Sequence, residues 1–130
     1  MPGVLIDTDI AIDYLRGDQG VRPLLHRFWR EGNAVLSAVS IFELTAGMRE
    51  NERGATLDFI GACAVAEVTP DIAVRGGELY RQYRGQGVTL AAMDCLIAAT
   101  AQVRGYQVAT RNVRHYPEPG LLLALDGLRQ

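Results

Sequence analysis

Asp7 closes a short apolar run, Val4-Leu5-Ile6, and Asp94 interrupts a longer one, Ala91-Ala92-Met93-Asp94-Cys95-Leu96-Ile97-Ala98-Ala99. A carboxylate in apolar surroundings is costly unless it is paired or neutralised by a cation. An acid just past the carboxyl end of a strand stands where open α/β sheets place their ligands, and no sequence-local rule asks for an acid at Asp94. A shared divalent cation accounts for both. With Glu43 added, three carboxylates supply the oxygen donors that suit a hard divalent metal, and such sites support phosphodiester or phosphoryl chemistry.

Two of these acids also have a local structural reading. Asp7 or Asp9 suits the N-cap of a helix beginning at Ile10, and Ser40-x-x-Glu43 matches a capping box. A second polar group, Thr110-Arg111-Asn112-Val113-Arg114-His115-Tyr116-Pro117, follows a strand-like run and offers arginines for phosphates and amide or imidazole groups for water. It reads equally as a polar loop, with His115 a loop histidine. Tyr14, Trp29, Tyr80 and Tyr116 are rings able to stack on bases or to pack half-buried.

The elements that must carry these residues alternate. Val4–Ile6, Ala34–Leu36, Val65–Val68 and Gln107–Thr110 read as strands, and Leu121–Ala124 as a short fifth. Helical patterns cover Ile10–Arg16, Val21–Arg30, Ser40–Met48 and Ala55–Ala64. Thr69-Pro70-Asp71 is a helix start, and the helix it opens places Ile72, Gly76, Leu79 and Tyr83 on one face. Thr89–Arg104 is a nearly apolar helix that carries Asp94 and ends at Gly105. This rhythm predicts an α/β fold, a mostly parallel sheet covered on both faces, as a single domain over residues 1–130.

Composition narrows the chemistry. With 48% hydrophobic residues the chain can close one core. No apolar run reaches bilayer length and no secretory leader pattern opens the chain, so a soluble cytoplasmic protein is expected. Cys63 and Cys95 lack metal-type spacing and read as reduced core residues. All thirteen basic residues are arginine, which removes every mechanism that needs a lysine: a P-loop, a Schiff base, or the lysine-steadied phosphoryl group of a HAD-type phosphatase or a receiver domain. The HAD reading of Asp7-Thr8-Asp9 fails also because Ala11 stands where its threonine belongs. A net charge of −2 excludes binding through a bulk positive field, though not local phosphate contacts.

Taken together, Asp7-Thr8-Asp9 after an apolar strand, Glu43 preceded by Ser-x-x, the string Asp94-Cys95-Leu96-Ile97-Ala98-Ala99-Thr100-Ala101 and the closing Thr110-Arg111-Asn112-Val113-Arg114-His115-Tyr116 resemble a PIN-domain ribonuclease of the VapC toxin type. The resemblance spans essentially the whole chain. It implies a three-layer α/β/α sandwich and a Mg²⁺- or Mn²⁺-dependent endoribonuclease acting on structured RNA such as tRNA-like or rRNA loops. It also implies a homodimer, or a larger assembly, neutralised by a cognate antitoxin. Carried over by position, Asp7, Glu43 and Asp94 are the catalytic acids, Asp7 and Asp94 the metal ligands, Thr8 and Asp9 their supports, and Arg111, Asn112 and Arg114 the groups that support the site or contact RNA. The chain departs from the fullest pattern at Asn112, where many PIN domains carry a fourth acid. That substitution keeps open a second reading, a PIN-like module that binds RNA or protein without cleaving.

Overall fold

The computed structural model describes residues 3–125. Four parallel strands, β1 (Val4–Ile6), β2 (Ala34–Ser37), β3 (Ala64–Ala66) and β4 (Gln107–Ala109), form one sheet in the order β3-β2-β1-β4. Helices α1 (Thr8–Leu15) and α2 (Val21–Glu31) join β1 to β2, α3 (Ala38–Gly47) and α4 (Arg53–Gly61) join β2 to β3, and α5 (Pro70–Gly85) and α6 (Ala92–Arg104) join β3 to β4.

Residues alternate between the two faces of the sheet, as the pleat requires. Val4, Ile6, Ala34, Leu36 and Ala109 join the core under α1, α2 and α4, whereas Leu5, Val35 and Val108 join the core under α5 and α6. Both faces are apolar because both are covered, which is why the strands read as unbroken hydrophobic runs. Full burial of a side chain such as Leu5 or Ile6 contributes about 1.5–3 kcal/mol. None of the helices among the described residues is long and apolar enough to cross a membrane. Both cysteines are buried and free, as their context predicts.

Several boundaries differ from the sequence reading, and two of the differences matter for the site. Helix α3 starts at Ala38, because the Ser37 hydroxyl caps it by accepting the Val39 N–H at 3.0 Å. Ser40 therefore lies inside the helix, and Ser40-x-x-Glu43 is no capping box. Helix α6 starts at Ala92, after Ala91 in extended conformation, and not at Thr89, so Asp94 falls in its first turn. An acid there is favoured by the helix dipole, a local reason that the longer predicted helix concealed. Leu121–Ala124 forms no strand: one parallel bridge joins Leu122 to Val108. Strand β3 ends at Ala66, before Glu67 and Val68.

The sheet order fixes where a site can form. From β1 the chain winds outward to β2 and β3, then returns to place β4 on the other side of β1. The crevice beyond the carboxyl ends of β1 and β4 is the switch point where open α/β sheets bind ligands.

Candidate functional site

Asp7 leaves β1 at this crevice, and its N–H donates to the Ala109 carbonyl of β4 at 2.9 Å. It is 4% exposed. Its Oδ1 accepts the Thr8 N–H at 2.8 Å, which caps α1, and the Tyr116 hydroxyl at 2.9 Å; Oδ2 accepts the Thr110 hydroxyl at 2.7 Å. The capping role proposed for Asp7 is thus real, and it coexists with a place at the bottom of the crevice. Three donors from three segments fix this carboxylate in one orientation.

Asp94, from the first turn of α6, faces the same point. The Tyr116 hydroxyl lies 3.5 Å from its Oδ1, and His115 Nδ1 lies 3.3 Å from its Oδ2. Burial pushes the Asp94 carboxyl above its ordinary range, the His115 imidazole opposes this, and the charges of Asp7 and Glu43 add to it. Glu43 is thereby placed within electrostatic reach of Asp94. Its Oε1 accepts the Thr8 hydroxyl at 2.7 Å, and Thr8 Oγ1 lies 2.9 Å from Ser40 Oγ. Thr8 has one hydroxyl proton and gives it to the carboxylate, so Ser40 serves as donor in the second contact.

Asp9 is the fourth acid. Its Oδ2 accepts the Arg111 N–H at 3.1 Å and the Asn112 side-chain amide at 3.0 Å, and its Oδ1 accepts the Ile10 N–H at 2.7 Å. Burial first, then the charge of Asp7, push its pKa up to about 6. Asn112 sits where an acid would meet Asp9 as a like charge; as an amide it donates to it. The Asn112 N–H also donates to Thr110 Oγ1 at 2.9 Å, so Thr110, Asn112, Asp7 and Asp9 form one connected network.

One expectation is corrected by this geometry, and the packing reading left open for the aromatic rings is the one the structure bears out. Arg111 does not present its guanidinium to the crevice: Nη1 donates to Asp13 at 2.6 Å and to Asp18 at 3.1 Å, which ties the loop after β4 to α1 and the α1–α2 turn. Two carboxylates occupy the charge expected to meet phosphate, whereas Arg114 is exposed. Tyr116 is 2% exposed and unable to stack on a base; Tyr14 and Trp29 pack edge to face in a cluster with Phe59, and the Arg84 guanidinium lies over Tyr80. Sequence reasoning missed the contacts of Tyr116 and Thr110 with Asp7 and of Ser40 with Thr8. The position of Thr110 and Tyr116 within the polar motif after β4 was the only signal for them.

The donor set suits a hard divalent cation. Asp7, Asp9, Glu43 and Asp94 supply only carboxylate oxygen, and burial first, then the charges of neighbouring acids, raise the proton affinity of Asp9 and Asp94. Among the described residues, no group of three His, Cys, Asp or Glu side chains converges closely enough to hold a metal ion. Mg²⁺ commonly takes one or two carboxylates and keeps several waters, so a pair of acids without a third converging ligand is compatible with such an ion.

The sequence model of the PIN domain matches residues 4–117. Over 114 residues the chain is 43% identical to ribonuclease VapC19 of Mycobacterium tuberculosis, covering 87% of this chain and 91% of that one. It is 39% identical to ribonuclease VapC10 of the same organism, over 88% of this chain and 86% of that one. Among solved structures, DNA-bound VapBC from Salmonella typhimurium superposes with a TM-score of 0.82 at 20% identity, covering 94% of this chain and 96% of that chain.

Proposed function

This chain belongs to the PIN domain family, and within it to the VapC group, and on that premise we propose that it is the endoribonuclease toxin of a toxin–antitoxin pair, acting in the cytoplasm. The observation that carries the reading is the convergence of Asp7 and Asp94 on one buried hydroxyl at the switch point of the sheet, in a chain 43% identical to a protein named as a ribonuclease.

In this reading Asp7 and Asp94 hold a Mg²⁺ or Mn²⁺ ion. When bound, the cation neutralises phosphate oxygens and activates water for in-line attack at phosphorus. The chain's own residues do the rest. The Thr8 N–H and the Thr110 hydroxyl orient Asp7, the Thr8 hydroxyl orients Glu43, and Asn112 with the Arg111 N–H orients Asp9. The proton of the attacking water passes to a carboxylate of the cluster. Water as nucleophile leaves 5′-phosphate and 3′-hydroxyl ends. Arg114, exposed beside His115, would meet a flanking phosphate in this reading. Single-stranded loops of structured RNA are the substrate class that gives such a site access to unpaired nucleotides.

The partner reading has its own support. A cleft of about 230 Å³ between α1, α3 and α4 is lined by Ile12, Leu15, Leu44 and Met48 and reaches Glu43. An amphipathic antitoxin segment resting there is able to direct a basic side chain at the acids, and a guanidinium pairs well with clustered carboxylates.

The decisive test is Asp94→Asn, assayed for RNA cleavage with Mg²⁺ or Mn²⁺ and with chelator. The variant should be folded and inactive, and chelator should silence the wild type. Cleavage at the wild-type rate by Asp94→Asn, or in chelator, refutes the mechanism, and binding of RNA without any cleavage supports a non-cleaving module instead.

A further inference from the structure

We propose that Tyr116 is a positioning residue of the acidic site, its hydroxyl standing between Asp7 and Asp94 as a neutral spacer that competes with a bound divalent cation. The inference rests on the reading of Asp7 and Asp94 as cation ligands.

A carboxylate offers about four acceptor directions. Asp7 has three of them filled, by the Thr8 N–H, the Thr110 hydroxyl and the Tyr116 hydroxyl. Thr8 and Thr110 belong to the two strand ends that carry the site. Tyr116 alone reaches across to Asp94, whose Oδ1 lies 3.5 Å from the same oxygen. The space between the two carboxylates, where a cation shared by them belongs, is therefore held by a phenol oxygen. Its single proton goes to Asp7, which offsets part of the repulsion between the acids when no cation is present.

The ring has little freedom to withdraw. It is 2% exposed, within the core under α5 and α6. Two residues onward, Glu118 accepts hydrogen bonds from the Tyr83 hydroxyl, from Gln102 at 2.8 Å and from Arg75 at 3.3 Å, which ties this segment to α5 and α6. A phenylalanine fills the same volume without the oxygen. Tyr116 thus lowers the affinity of the site for its cation while stabilising the cation-free state.

The experiment measures Mn²⁺ binding by calorimetry and electron paramagnetic resonance, with melting temperatures in chelator, for the wild type, Tyr116→Phe, Glu118→Gln and Asp94→Asn. A hydrogen bond to a charged acceptor supports an expectation of about tenfold tighter Mn²⁺ binding in Tyr116→Phe, with a lower melting temperature in chelator. Glu118→Gln, which loosens the same segment without touching the acids, should melt lower and bind Mn²⁺ as the wild type does. In the wild type, saturating Mg²⁺ should perturb the tyrosine ultraviolet difference spectrum, a readout that needs no variant to fold.

Equal or weaker Mn²⁺ binding by Tyr116→Phe overturns the proposal, as does an equal gain in Glu118→Gln or an unperturbed tyrosine spectrum. If Asp94→Asn weakens Mn²⁺ while Tyr116→Phe does not tighten it, only the spacer role falls. If the wild type binds no Mn²⁺, the cation-site reading falls and takes this one with it.

Discussion

Raising the pH should destabilise this protein when no metal is present, opposite to the usual behaviour of a chain stabilised by paired carboxylates. Asp9 titrates at about 6 in the fold against 3.8 for the ordinary carboxyl, so the folded state binds its proton more tightly. A raised carboxyl favours folding at low pH, and that contribution is lost as pH rises from the ordinary value through about 6. From pH 5 to 7.5 such a shift is worth about 1.4 kcal/mol, and solvent reaching the partly exposed carboxyl reduces this to about 1 kcal/mol. For a domain of this size that is a fall in Tm of about 3–5 °C. Asp94, also raised, acts with the same sign. Asp18, Asp71 and Glu118 are held below their ordinary range, so their contributions are complete before this window opens. The assay is thermal melting in chelator across pH 5–7.5 for the wild type and Asp9→Asn, whose amide carbonyl is still able to accept the Arg111 N–H. The variant should retain only the smaller slope due to Asp94. A wild-type Tm that is flat or rises across the window, or an identical slope in Asp9→Asn, refutes the electrostatic account of the site.

Glu43→Gln keeps an acceptor for the Thr8 hydroxyl and lies six residues past the true cap of α3, so its Tm should stay within about 2 °C of the wild type, while RNA cleavage falls at least about tenfold. Lost stability with intact cleavage assigns Glu43 a structural role only. Arg111→Lys replaces a fork spanning Asp13 and Asp18 with a point charge, so Tm should fall and kcat should drop with KM for RNA unchanged. A raised KM at unchanged Tm restores the phosphate-contact role.

The strands were legible because each is short, apolar throughout and buried on both faces, and their parallel arrangement followed from the intervening helices. Helix starts were less legible. Ser37 and Ser40 are both serines near the end of β2, and what selects Ser37 as cap is that pairing with β3 ends there. Nothing in Thr89-Leu90 opposes a helix; the chain reverses after α5 through Gly87, at φ +81°, with the Val88 N–H donating to the Tyr83 carbonyl. Ala91 is left extended, and α6 begins only afterwards. The acids themselves were visible from their strand-end and helix contexts. Their partners were not, since Tyr116 meets Asp7 across 109 residues and Thr110 meets it across 103, and no local pattern reports such a contact.

The structural and functional readings of these acids turn out not to compete. Helix α1 follows β1 directly and so starts at the carboxyl edge of the sheet, and α6 starts at that edge because it must run back to the beginning of β4, so Asp7 capping α1 and Asp94 in the first turn of α6 aim at one crevice because they serve helix N-termini. Each terminus offers partial positive charge, worth about 0.3–1 kcal/mol to a nearby acid. That offset lets the fold gather carboxylates before any cation arrives, and it dictates how the site must be dissected. Alanine at Asp7 removes the cap, at a cost of about 1 kcal/mol, together with the charge, so lost activity there has two causes. Asparagine retains an oxygen to cap the helix while withdrawing the charge, and only an effect that survives this narrower change belongs to the chemistry of the crevice.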